Sequence, residues 1–117
     1  MAGHTLELAR GSHCTAHIDW SQIPLLSNVQ TLADNGVITG ASDRNWASYG
    51  SDVSIPTNFT PAQLALLTDP QTSGGLLVSC APESVQAVLD IFNQHHFLGA
   101  RVIGQMTKRQ EKPLVVS

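Results

Sequence analysis

Asp69-Pro70-Gln71-Thr72-Ser73-Gly74-Gly75, followed by Leu76-Leu77-Val78-Ser79-Cys80, is the stretch on which the reading of the fold turns. Pro70 biases Asp69 away from helical dihedrals, so a helical run ahead of it ends there. Thr72 and Ser73 carry hydroxyls able to bond nearby backbone, and Gly74-Gly75 admit conformations or approaches that a Cβ forbids. Leu76 to Val78 form a short apolar run between turn signals, which predicts a buried strand reaching Cys80. Glycines placed like this most often serve a tight turn. They fit neither the Walker A pattern nor the dinucleotide fingerprint, because no helix follows them.

The segments on either side are readable from their caps and periods. Upstream, Thr60-Pro61-Ala62-Gln63 opens a helix with Thr60 as N-cap, Pro61 at the first helical position and Gln63 closing a capping box. Leu64 and Leu67 pack inward until Asp69-Pro70. Downstream, Pro82-Glu83 begins the clearest amphipathic helix, with Val85, Val88, Leu89 and Phe92 on one face and Gln86, Asp90 and Asn93 on the other. His95-His96 fall in its last turn, where adjacent side chains diverge by about 100° and make a poor chelating pair. Arg101 to Met106 and Pro113 to Val116 read as strands joined by the charged turn Lys108 to Lys112, a terminal β-hairpin.

The N-terminal part begins with a short helix over residues 2–9 that Gly11 ends, with His4 on its surface. Cys14 to Trp20 alternates: Cys14, Ala16, Ile18 and Trp20 face a core, while Thr15, His17 and Asp19 form a solvated face. Cys14 and Cys80 read as buried thiols, with no metal spacing and nothing to activate a nucleophile. A second helix from about Asn28 to Asp34 carries a capping box of Ser27 and Gln30 and stops at Asn35-Gly36. Ser51 to Phe59 is irregular, with Pro56 barring a central strand. A third helix starts near Arg44, capped by Ser42 or Asp43, with Trp46 and Tyr49 on one face. Arg44 with Asn45 is equipment for holding a carboxylate or phosphate; the simpler reading is an intramolecular clamp between Arg44 and an Asp such as Asp69.

Helices interspersed with short strands, without regular βαβ repetition, indicate an α+β fold with a mixed sheet and helices packed against it. The 117 residues suit one domain, burying roughly two-thirds of the unfolded surface. A hydrophobic share of 42%, a charged share of 13% and a net charge of −3 describe a globular chain without a nucleic-acid footprint. No apolar run reaches the length of a membrane span, no secretory leader is visible, and a cytoplasmic location is expected.

The Asp69 to Leu77 stretch resembles a signature of the selenophosphate synthetases (selenide, water dikinases). Gly3-His4-Thr5-Leu6-Glu7-Leu8-Ala9 is similar to their Gly-His-x-Leu-Glu helix, and Arg44-Asn45-Trp46-Ala47-Ser48-Tyr49-Gly50 to their Arg-Asn-aromatic-Ala-Ser-Tyr segment, in the same order. The resemblance implies the C-terminal domain fold of the aminoimidazole-ribonucleotide synthetase superfamily. It further implies an enzyme that makes selenophosphate from selenide and ATP with Mg²⁺, releasing AMP and phosphate, and that is a homodimer. The family's reactive Cys or selenocysteine, its nucleotide-binding Lys and most metal-binding Asp residues belong to an N-terminal half with no counterpart here. Residues 1–117 are thus expected to be a single, partial C-terminal domain whose partner is that N-terminal half. No catalytic or metal-ligating residue is assigned, and neither ATP nor Mg²⁺ is expected to bind tightly to the fragment alone. The candidate cleft or interface loop comprises Asp69, Gln71, Thr72, Ser73, Gly74 and Gly75, with Arg44 and Asn45 as secondary candidates. The alternatives are a stand-alone, non-catalytic binding module and a paralogous ATP-using synthetase domain.

Overall fold

The computed structural model describes residues 1–117. Five α-helices are present: α1 (Ala2–Gly11), α2 (Val29–Asp34), α3 (Gly40–Tyr49), α4 (Pro61–Thr68) and α5 (Val85–Gln94). Four strands, β1 (Cys14–Ile18), β2 (Val53–Ser54), β3 (Gly104–Lys108) and β4 (Leu114–Val116), form one mixed sheet in the order β2-β4-β1-β3. This is the α+β architecture expected from the sequence.

The core follows from periodicity. Ala2, Leu6 and Ala9 repeat at helical spacing along α1 and are fully buried, as is the intervening Thr5. They meet the sheet face built from Ala16 and Ile18 of β1, Leu114 and Val116 of β4, and Val53 of β2, with Leu67 of α4 closing the cluster. Burial of each large side chain there (Leu6, Leu67, Leu114) contributes about 1.5–3 kcal/mol. Trp46 and Tyr49 pack half-buried against this cluster, as their shared helical face predicts.

α4 forms as read from the sequence. Thr60 accepts from the Gln63 amide at 3.2 Å, and the Gln63 side chain accepts from the Thr60 amide at 2.8 Å. Gly36 ends the α2 segment with φ +79, but the Ser27/Gln30 box is absent. Asn28 is the N-cap of α2, at φ 67, and makes no side-chain bond. α3 starts at Gly40, a turn earlier than expected, with Thr39 as its N-cap residue.

Two expectations about the strands are overturned. β3 and β4 are not a hairpin: β1 lies between them, antiparallel to β3 and parallel to β4. The connection is carried across the end of β1 by Thr15, whose Oγ1 donates to the Lys112 carbonyl at 2.9 Å and accepts from the Gln110 amide at 2.8 Å. The same bonds bury Thr15 completely, so the second face of β1 is not simply solvated. His17 on that face has its Nε2 shut from solvent with no hydrogen-bond partner, and Asp19 bonds Ser21 rather than His17. Trp20 belongs to a 3₁₀ turn beyond the strand and packs edge-on against Phe59.

Second, Leu76 to Cys80 forms no strand: Leu76 and Val78 are exposed, and so is Cys80. No strand of the chain pairs with this run, and unpaired extended backbone has only water to bond. Cys14 is only partly covered, its thiol donating to the Ser12 carbonyl at 3.4 Å. α5 forms and is amphipathic as expected, and it buries none of its residues.

Surface electrostatics are sparse. Arg10 of α1 donates to the Asp52 carboxylate, a tie between α1 and the turn leading into β2 that holds Asp52 below its ordinary value of 3.8. A lowered carboxyl pKa supports the fold above that value and withdraws support as pH falls through the lowered one. The melting temperature of the wild-type chain should therefore fall on acidification below about pH 4, by more than that of Asp52→Asn. Parallel acid limbs for the two proteins would show that the pair is spent on the surface without effect.

Candidate functional site

The Asp69 region is built where α3 and α4 cross. Asp69 caps the C-terminal end of α4 with extended dihedrals (φ −56, ψ 129), the stop that Pro70 imposes. Ser42 of α3, nearly fully buried, donates to the Ala65 carbonyl at 3.0 Å, and Asn45 donates to the Thr68 carbonyl at 2.8 Å. Thr39 reaches Asp69 directly, Oγ1 to Oδ1 at 3.4 Å, and sits 3.3 Å from the Ser42 hydroxyl. Short polar side chains of α3 thus satisfy carbonyls that the last turn of α4 would otherwise leave unpaired. Burial pushes the Met1 amine below its ordinary value while the Asp69 charge pulls it back up, so the start of the chain lies within reach of the same carboxylate.

Beyond Asp69 the chain leaves the body. Gln71, Thr72, Ser73, Gly74 and Gly75 are all exposed. Neither glycine has a left-handed φ; Gly36 is the glycine that does. A Cβ built on Gly74 would lie 2.7 Å from Gln71 Oε1, the mobile end of a side chain, and one built on Gly75 meets nothing within 4 Å. Within this chain, neither backbone strain nor crowding demands glycine at Gly75.

The secondary candidates separate. Asn45 is engaged in holding α4, with its amide nitrogen donating to the Thr68 carbonyl. Arg44 is exposed and makes no ion pair; the expected clamp with Asp69 is absent, and the arginine that does pair with a carboxylate is Arg10, with Asp52. Thr39 takes the place beside Asp69 that Arg44 was expected to fill. Thr39 was missed by sequence reasoning, and Ser42, read there as a cap, instead lies within the helix and bonds α4.

No group of three His, Cys, Asp or Glu side chains is clustered in a way that would hold a metal ion. A groove lined by α2, α3 and α4 ends at Thr39 and Asp69, but its volume of about 140 Å³ falls well below that of a nucleotide-sized pocket. No chemical step is assigned to these residues. No helix is long and apolar enough to cross a membrane.

The chain is 53% identical to the selenide, water dikinase of Pseudomonas straminea over 98% of its own length and 32% of that relative's. It is 55% identical to the enzyme of that name from Burkholderia orbicola over 91% of this chain and 30% of the relative. The one from Rhizobium meliloti is 54% identical over 75% of this chain and 25% of the relative. The chain thus spans about a third of the length of the curated relatives it matches, 32% of the first. The family described as AIR synthase related protein, C-terminal domain, matches residues 1–117. With its mixed sheet, its stitched α3–α4 crossing and this match from end to end, the chain belongs to that C-terminal domain family, in a version similar to the selenide, water dikinases.

Proposed function

We propose that this chain is the later part of the C-terminal domain of a selenophosphate synthetase, and that the loop from Asp69 to Gly75 forms one wall of that enzyme's cleft. The observation that carries the reading is 53% identity to a selenide, water dikinase across almost the whole chain. In the complete enzyme ATP supplies two phosphoryl groups: one passes to selenide, the other to water, leaving AMP. Transfer of this kind rests on positioning and charge neutralisation, which Mg²⁺ and cationic side chains supply. This chain's share is scaffold and placement. The α3–α4 stitching fixes Asp69, and the exposed Thr72-Ser73-Gly74-Gly75 backbone is presented to the N-terminal half. Arg44, free of an acidic partner, is available to an anion at the same end of α3. The working enzyme is a cytoplasmic homodimer in this reading, and nucleotide is held mainly by the N-terminal half.

The test is a hybrid in which this chain replaces the matching third of the Pseudomonas straminea enzyme. AMP release with selenide, Mg²⁺ and ATP should fall within about tenfold of the parent, a barrier change of about 1.4 kcal/mol. The 117-residue chain alone should release none above a no-protein control. A folded hybrid without selenide-dependent AMP release, or turnover by the chain alone, overturns the proposal.

A further inference from the structure

From Asp69 to Lys112 not one residue is buried, although this run contains the most amphipathic helix of the chain. Val85, Val88, Leu89 and Phe92 lie on one face of α5 at helical spacing, and each is only half-covered. Phe97 folds back beside Phe92, ring centroids 6.3 Å apart and nearly perpendicular, and is itself 64% exposed; Ile91 on the flank is 57% exposed. An apolar stripe with an aromatic pair at its end, left open to water, forgoes the burial that stabilises most protein helices. Helices of this length are marginal without it. The second face of the sheet tells the same story by a different atom: His17 Nε2 is withdrawn from water and bonded to nothing, a cost that a partner's polar group would remove.

What covers α5 is indicated by length. A relative that matches this chain at 53% identity along 98% of it has about two-thirds of its own length outside the match, since the match takes up 32% of the relative. We infer that the α5 stripe, with Phe97, is a docking face for the portion of a selenide, water dikinase that this chain does not span, and that the portion presents an apolar surface to Val88, Leu89 and Phe92. This rests on the proposed function and names the partner of the same domain at a second place, away from the Asp69 loop. The polar side of the helix, Gln86 and Asp90 (Gln86 Nε2 donating to Asp90 Oδ1 at 2.8 Å), stays in water and sets the edge of the contact.

Hydrogen exchange on α5 tests this, comparing the 117-residue chain with the hybrid built on the Pseudomonas straminea enzyme. Amides of residues 89–94 should exchange about 100-fold or more slowly in the hybrid than in the chain alone. Equal exchange overturns the inference. Protection in the isolated chain that rises with its concentration to the hybrid's level assigns the face to a second copy and overturns it too. Leu89→Asp with Phe92→Asp should leave melting of the isolated chain unchanged and lower that of the hybrid, whereas Gln86→Glu should alter neither. A fall in the isolated chain's melting temperature would show that α5 is already packed within it, against the inference. AMP release reads the function separately. A hybrid protected at α5 but inactive sinks the functional reading and keeps this contact, and an active hybrid with unprotected α5 does the reverse.

Discussion

Gly104→Ala should destabilise the chain by about 3 kcal/mol or more, enough to leave a large fraction unfolded. Gly104 stands opposite Ile18 in the antiparallel β1–β3 pair. A Cβ built there overlaps the His17 carbonyl oxygen and lies 2.9 Å from the His17 carbonyl carbon and 3.0 Å from Ile18 Cα. All three are backbone atoms of the central strand, so no side chain can rotate away; the strands must separate or slip. A slip by one residue would turn the core face of β3 outward. Gly99→Ala is the matched control, because its Cβ meets nothing within 4 Å and its φ is not left-handed. It should be neutral, or stabilising by up to about 1 kcal/mol through the unfolded chain. Urea midpoints for the two variants decide the matter, and a Gly104→Ala midpoint equal to wild type would mean that β3 is not held against β1 in solution.

The same residue shows what the sequence conceals. Gly104 reads as an unremarkable residue inside an alternating run, and its necessity appears only when β1, more than eighty positions away, is laid beside it. What was legible is local. The α4 cap, the Pro70 stop, the alternation of Ala16 and Ile18, and the helical spacing of Ala2, Leu6 and Ala9 all rest on residues within a turn or two of each other. What was not legible is partnership. Two strands joined by a charged five-residue turn have the pattern of a hairpin, yet hydrogen bonds from Thr15 route that turn over β1. Leu76 to Cys80 has the composition of a buried strand, but composition supplies no neighbouring strand. The α5 stripe was legible as apolar, but amphipathicity says that a helix needs a partner and never that the chain contains it. For the candidate site, turn chemistry marked the end of α4 at Asp69-Pro70. The Thr39–Ser42–Asp69 contacts that fix it belong to a helix crossing no spacing rule reports.

In the hybrid enzyme, Gly75→Ala should lower kcat/KM about tenfold or more while moving the melting temperature by less than about 2 °C. Two accounts of the glycine pair predict different outcomes. If the pair exists to let the backbone turn, a methyl group should cost stability, on the order of 1 kcal/mol or more, with activity falling only in proportion. The geometry gives this account little to work with, because neither Gly74 nor Gly75 sits at positive φ and the space around a Gly75 Cβ is open within this chain. If instead the pair exists so that something outside the chain can come close, the methyl group meets its obstacle only in the assembled cleft. The loss then appears in turnover and not in folding. Gly74→Ala sharpens the contrast: its Cβ would press on Gln71 Oε1 at 2.7 Å, a contact the flexible amide relieves by rotating. It should therefore disturb Gln71 first and stability little. Proportional losses of stability and activity at Gly75 would favour the turn, and an unaltered enzyme would remove Gly75 from the cleft altogether.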